Sequence, residues 1–163
     1  MNQMSMMVEQ INKLPQPERQ NRLSALIGGV IKYAGHTGIV MEELTYTNSV
    51  VSLQNRTEVQ NHIGTIHAVA MILLAETASG ILIAMNLPED KVILAKNLNT
   101  AFVKRSTGAM KAVARITQEQ IDLVKSQEKG ELKMDVIVTD ETGIEPVKCE
   151  AIWAWIPKNK LQK

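Results

Sequence analysis

The apolar positions divide the chain into a helical front, one long apolar block and a series of alternating segments. In residues 1–36, Leu14-Pro15-Gln16-Pro17 interrupts a first helical run. Pro17 falls where the first turn of a second helix tolerates proline, because no backbone donor is needed there. That helix carries Leu23, Leu26, Ile27, Val30 and Ile31 at amphipathic spacing and stops near Gly35. Residues 42–53 shift towards period two, with Leu44, Tyr46 and Val50 on one side, and a turn-rich stretch runs from Gln54 to Gly64. Ile66 to Leu87 is then almost continuously apolar, IHAVAMILLAETASGILIAMNL. It is too long for a strand and apolar nearly all round, which predicts a helix buried on most faces. About 20 apolar residues also suffice to cross a bilayer. Against that, Glu76 sits near the middle, where an acid costs about 2.5–3.5 kcal/mol on insertion. His67, Asn86 and the run Thr77-Ala78-Ser79-Gly80 dilute the block further, and basic residues do not gather at either end. The expectation is a core helix and no membrane span.

After Pro88 the pattern is that of strands almost to the end. Val92–Arg105 is a long extended run followed by a turn signal at Gly108. Met110, Ala112, Ala114 and Ile116 alternate with Lys111, Val113, Arg115 and Thr117, and Leu132, Met134, Val136 and Val138 alternate with Lys133, Asp135, Ile137 and Thr139. Asp140-Glu141-Thr142-Gly143 forms a hairpin signal before Val147, Cys149, Ala151, Trp153 and Trp155, and Ile121–Lys129 is a short helical or loop excursion. Hairpin-joined strands imply an antiparallel sheet with the apolar helix packed on it as a second layer. The fold class expected is α+β: five strands wrapped around one central helix, with extra N-terminal helices. Trp153 and Trp155 suit either a core or an interface.

Composition narrows the function classes. The chain has 163 residues, of which 45% are hydrophobic and 21% charged, so 1–163 is expected to be one globular domain with a helical extension over 1–36 and a core over 42–156. A formal net charge of +1 argues against a duplex nucleic acid partner, and 3% aromatic residues give no base-stacking surface. Lys158, Lys160 and Lys163 form a solubilising end. The lone Cys149 cannot form an intrachain disulfide and falls in a strand, where a buried inert thiol is expected. His36, His62 and His67 lack the spacing of metal ligands, so no metal site is expected. The Met-rich start lacks a signal peptide's basic and apolar regions, which makes the Asn55-Arg56-Thr57 sequon uninformative and the cytoplasm the expected location.

Glu76 is the only acid between Ile66 and Pro88. A carboxylate among Leu74, Ala75, Ala78 and Ile81 is costly to bury unless it is paired, hydrated or facing a cleft. Two readings follow: a pairing with a basic group from another strand, or a pocket carboxylate whose pKa its surroundings raise. Asn61-His62-Ile63-Gly64-Thr65-Ile66-His67 leads directly into the helix. The amides near Ala68 and Val69 sit at its positive end without intrahelical acceptors, a ready place for an oxyanion or a polarised carbonyl. Asn61, Thr65 and His67 can equally serve as caps.

The stretch Asn61–Gly80, NHIGTIHAVAMILLAETASG, resembles the core motif of the hotdog-fold thioesterases related to the phenylacetate-degradation enzymes. That motif has Asn, a Gly three residues on, His-Gly-Gly at the helix start, and an acid within the helix. Asn61, Gly64 and His67 fall at the matching spacing, and Glu76 lies nine positions after His67, where the family carries its catalytic Asp or Glu. Phe102-Val103-Lys104-Arg105-Ser106-Thr107-Gly108 is similar to the family's next segment, and the likeness runs from about Glu42 to Ile156. His67-Ala68-Val69 replaces His-Gly-Gly, which keeps the backbone N–H of Ala68 but crowds the approach that glycines leave open.

The resemblance implies hydrolysis of an acyl-CoA thioester, with coenzyme A entering as part of the substrate and no other cofactor. The Ala68 amide would polarise the carbonyl and Glu76 of a partner subunit would activate water or attack. Asn61 would position the water or carboxylate, and His67 would hydrogen-bond the thioester end. Gly64, Lys104, Arg105 and Thr107 are candidate substrate contacts, with Lys111 and Arg115 further candidates for the CoA phosphates. A rise of ~1.5 Å per residue puts Ala68 and Glu76 on the order of 12 Å apart, too far for both to reach one carbonyl, so a homodimer or a dimer of dimers is expected. A non-catalytic acyl-CoA or lipid-binding module, an acyl-thioester hydratase or dehydratase, and a purely structural protein are the other readings.

Overall fold

The computed structural model describes residues 2–161; Lys163 of the basic C-terminal stretch lies outside them. Helices α1 (Gln3–Ile11), α2 (Glu18–Val30) and α3 (Lys32–Thr37) precede strands β1 (Val40–Leu44) and β2 (Asn48–Leu53). Helix α4 (Ala68–Asn86) leads to β3 (Lys91–Phe102) and β4 (Met110–Arg115), then α5 (Gln118–Ser126), β5 (Gly130–Asp140) and β6 (Val147–Pro157). All pairings are antiparallel, in the order β1-β2-β4-β5-β6-β3.

The sheet therefore has six strands, where the sequence pattern predicts five. Residues 42–53 do not form one strand. Thr45 turns the chain between β1 and β2: its N–H donates to Asn48 O at 2.8 Å and its Oγ1 accepts from Asn48 N at 3.0 Å. Thr45, Tyr46 and Thr47 are β-favouring residues with no glycine or proline among them, so the turn leaves little trace in composition. It also resets the alternation. Ser49, Val51 and Leu53 are buried, while Val50 is not on the side of Leu44 as period two across the run predicts. The front end likewise holds three helices, because Ile31 leaves helical geometry (φ −102°, ψ 86°) between α2 and α3.

α4 is the hub. Its buried residues run from Ala70 to Asn86 and include an unbroken stretch from Thr77 to Ile83. Met110, Ala112 and Ala114 of β4, together with Met134, Val136, Ala151 and Trp153, join α4 residues in one core. Val8, Leu23, Ile27 and Ala34 of the N-terminal helices belong to that core as well. The small residues of α4 have a definite use. Trp153 Nε1 donates to Ser79 Oγ at 2.9 Å, and a Cβ on Gly80 would stand 2.6 Å from the Trp153 ring. Trp155 is fully buried, so both tryptophans are core residues. Although α4 is long and apolar enough to cross a membrane, most of it is covered by the rest of the chain. Cys149 is buried, and burial pushes its thiol pKa up, consistent with an inert core thiol.

The register fixes what gathers at one end of the sheet. Leu53 pairs with Met110, Met110 with Asp140, and Phe102 with Val147. The segment 54–67 that leads into α4, the 103–109 connection and the β5–β6 turn therefore emerge together.

Candidate active site

The approach to α4 is built by a short closed loop. Gln60 and Ile66 form an isolated bridge, His67 N donates to Val59 O at 2.8 Å, and Asn61 N donates to Thr65 O at 2.8 Å. Asn61 fills the turn with its side chain: Oδ1 accepts from Ile63 N at 3.0 Å and Thr65 N at 3.1 Å, and Nδ2 donates to Thr65 Oγ1 at 2.8 Å. Gly64 occupies the turn at φ 77°, a left-handed conformation that favours glycine. Its carbonyl accepts from Asn55 Nδ2 at 3.0 Å. Asn61 and Gly64 thus set the entry angle of the helix.

His67 is the N-cap of α4, and its Nδ1 accepts from Val69 N at 3.1 Å. Ala70 N and Met71 N already donate to His67 O, at 2.9 and 3.1 Å. The Ala68 N–H has no acceptor among the described residues, so it is the donor left pointing off the positive end of the helix.

Glu76 lies two turns further along. With Ala68, Ile72 and Leu73 it is only partly buried, and Val69 is exposed, in a helix that is buried without a break from Thr77 to Ile83. The i, i+4 spacing puts these positions on one face, which a single chain leaves incompletely covered. Glu76 has no ion-pair partner among the described residues, which removes the pairing with a basic strand residue. Its Oε2 receives only the Thr77 hydroxyl, at 3.4 Å. Burial pushes the Glu76 carboxyl above the ordinary range, and the Thr77 hydroxyl pulls weakly the other way. A half-buried, unpaired carboxylate of raised basicity is suited to taking a proton. Thr77 gives no functional signal in the sequence, where a threonine in an apolar helix has no distinguishing pattern.

Lys104, Arg105 and Thr107 are exposed in the 103–109 connection, at the sheet end where the 54–67 segment also emerges. The connection is pinned from below: Lys104 N donates to Pro146 O at 3.2 Å, Thr107 N to Asp140 Oδ2 at 2.9 Å, and Ala109 N to Glu141 Oε2 at 3.1 Å. Burial works to raise the Asp140 carboxyl pKa, but the Thr142 hydroxyl and the amides of Thr107, Thr142 and Ile144 hold it below the ordinary range. Lys104 and Arg105 have no ion-pair partner among the described residues. Lys111 and Arg115 do not join them. They alternate with Met110, Ala112 and Ala114, which are buried in the core with α4, so they point away from that helix. Lys111 is paired with Glu42 at 2.7 Å. No cluster of metal-ligating side chains occurs among the described residues.

An antiparallel sheet wrapped on one apolar helix, with a free amide at the helix start and an unpaired carboxylate two turns on, defines a hotdog-fold domain. The chain belongs to the family of domains of unknown function DUF4442, matched over residues 19–156. α1 therefore lies outside the matched span. The fold is shared with solved structures. A protein of unknown function from Pseudomonas aeruginosa, described as a probable thioesterase, superposes with a TM-score of 0.75 at 22% identity, covering 88% of this chain and 97% of that one. A mutant of a second Pseudomonas aeruginosa thioesterase gives 0.67 at 15% identity, covering 82% and 93%. A Haemophilus influenzae thioesterase gives 0.63 at 14% identity, covering 77% and 82%. No curated protein matches the sequence.

Proposed function

We propose that this protein is a thioester hydrolase acting on acyl-CoA substrates as a homodimer or a dimer of dimers. One observation carries the reading: Glu76 is half-buried, unpaired and raised in pKa on the same uncovered helix face as Ala68, whose amide lacks an acceptor. In the proposed reaction the thioester carbonyl oxygen accepts from the Ala68 N–H of one protomer. The partner's Glu76 takes a proton from water as the water oxygen bonds to the carbonyl carbon. Collapse of the tetrahedral intermediate breaks the C–S bond as Glu76 returns its proton to the departing sulfur, releasing free acid and the thiol of coenzyme A. Direct attack by the carboxylate, followed by hydrolysis of the mixed anhydride, gives the same products. Ala68 and Glu76 are eight positions apart on the helix, about 12 Å of rise. Two protomers supplying one half-site each resolve that distance. β3 supports the pairing, because it is an edge strand with Leu94 and Phe102 40% and 50% exposed. In this reading Lys104, Arg105 and Thr107 contact the coenzyme A portion, and Asn61 and His67 act by shaping the helix start.

The reading is tested by thiol release from acyl-CoAs of graded chain length. Release that Glu76→Gln abolishes without changing the oligomeric state supports it, and release unchanged in that variant removes Glu76 from its role. A second reading, an acyl-CoA-binding module without turnover, is favoured by the side chains of Ala68 and Val69 at the helix mouth and by the engagement of the Val69 amide with His67. Tight binding with no thiol release across the series selects it.

A further inference from the structure

A second recess of the chain lies away from the start of α4. A groove of about 950 Å³ lies between the first turn of α2 and the side chains of β1, β2 and β4 that point away from the central helix. It is the size of a small-molecule site. Its charged residues are Arg19, Glu42, Glu43, Lys111 and Arg115. Three of these are already engaged: Glu42 with Lys111 at 2.7 Å, and Glu43 Oε1 with Asn48 Nδ2 at 2.7 Å. The guanidiniums of Arg19 and Arg115 have neither an ion-pair nor a hydrogen-bond partner among the described residues. They come from different elements, α2 and β4, yet line one groove. Two unengaged planar forks on one groove suit a phosphate, which guanidinium meets bidentately.

The remaining wall says what the phosphate would be attached to. Asn12, Gln16, Gln20, Asn48 and Thr45 contribute amides and a hydroxyl, and no aromatic side chain lines the groove. Several of these amides are held in place by one end only. Asn12 Nδ2 donates to Leu44 O at 2.9 Å, and Gln16 Oε1 accepts from Gln20 N at 3.3 Å, leaving Asn12 Oδ1 and Gln16 Nε2 for another molecule. Paired donors and acceptors without a stacking surface match hydroxyl groups better than a nucleobase. We propose that this groove binds a sugar phosphate, with Arg19 and Arg115 on the phosphate and the amide side chains on the polyol. Lys111 and Arg115, candidates for coenzyme A contacts in the sequence, thereby take part in a different site, on the face of the sheet opposite Glu76.

The test is calorimetric titration of the full chain with ribose 5-phosphate, ribose and inorganic phosphate, against the variants Arg19→Gln and Arg115→Gln. The expected result is saturable binding of ribose 5-phosphate, binding of ribose or inorganic phosphate at least about tenfold weaker, and a loss of about tenfold in each variant, as for removal of one charged hydrogen-bonding group. Both substitutions replace side chains at the protein surface, and an unchanged circular dichroism melt confirms that the variants fold. Absence of ribose 5-phosphate binding, or full affinity in both variants, overturns the site. Equal affinity for inorganic phosphate overturns the polyol assignment. Glu76→Gln is expected to bind ribose 5-phosphate normally, so the outcome does not depend on whether the chain hydrolyses thioesters.

Discussion

Lys91 offers the sharpest check on how the fold is held. It is 7% exposed and has no carboxylate partner among the described residues; instead its ammonium donates to Val124 O, Lys125 O and Gln127 O at 3.2, 3.1 and 2.6 Å. These carbonyls close α5, whose last turn lacks intrahelical donors and carries the negative end of the helix dipole. Lys91 thus ties α5 to the first residue of β3. In Lys91→Met the thioether keeps most of the stem's volume and removes the charge. Gln127 O keeps the Trp155 Nε1 donor at 3.1 Å, so two carbonyls lose their side-chain donor. Each such loss costs about 1–3 kcal/mol, less where water reaches the helix end, and the dipole contact adds about 0.3–1 kcal/mol. Relief of the buried ammonium's desolvation offsets part of this. The net expectation is a loss of about 2 kcal/mol, or about 4–8 °C in Tm for a domain this size. Equilibrium urea unfolding at fixed protein concentration measures it as a lower midpoint at unchanged slope. Lys160→Met serves as the control, since its pair with Glu128 is a surface contact at 3.4 Å. A Lys91→Met midpoint equal to wild type would refute the reasoning, because desolvation would then cancel all three hydrogen bonds.

Glu76 should leave a stability signature independent of turnover. Its folded pKa is raised, so the stability it contributes is present below the unfolded value and lost as pH rises through the folded one. Glu76→Gln is therefore expected to melt higher than wild type at pH 8, with the gain vanishing near pH 4; a variant that melts lower at pH 8 contradicts the raised pKa. Asp140 runs the opposite way: its lowered pKa gives stability present above the unfolded value and lost as pH falls through the folded one. Asp140→Ala should also free the 103–109 connection and speed tryptic cleavage after Lys104 and Arg105, and an unchanged cleavage rate would show that Pro146 and Glu141 suffice to hold it. Val69→Gly tests the crowded helix mouth. Because Val69 is 52% exposed, the main stability loss is roughly 0.5–1 kcal/mol of helix propensity, while thiol release should rise; release unchanged or slower shows that Val69 does not obstruct the thioester.

The central helix was legible because burial on nearly every side removes the polar face that an amphipathic helix would show, and Ile66–Leu87 carries that signature in composition alone. Glu76 was legible for the same reason, as the one acid in that block. The β1–β2 turn was not, because Thr45 makes it with a hydroxyl and backbone geometry available to β-favouring residues. Lys91 was not either. A lysine between a helix and a strand is ordinarily exposed, and this one is buried by carbonyls 33 to 36 residues away in sequence. The bases of β4 mark the same boundary. Alternation puts Lys111 and Arg115 on the side opposite the core, but their sharing a groove with Arg19 depends on where α2 packs against β1.

The two sites differ in what a single chain supplies, and the difference bears on function. The face of α4 that holds Ala68 and Glu76 is incompletely covered by its own chain, and on the proposed reading a second copy completes it: the amide and the carboxylate are separated along one rigid helix, and no side-chain movement brings them to one carbonyl. The groove beneath α2 is lined within one chain, by the N-terminal helices and three strands, and holds two guanidiniums without partners among the described residues. Activity at the first site should therefore depend on protein concentration near the dimer dissociation constant, while binding at the second should not. A titration of both properties over the same dilution series separates them. Parallel loss of the two would place the groove, too, at a junction between chains.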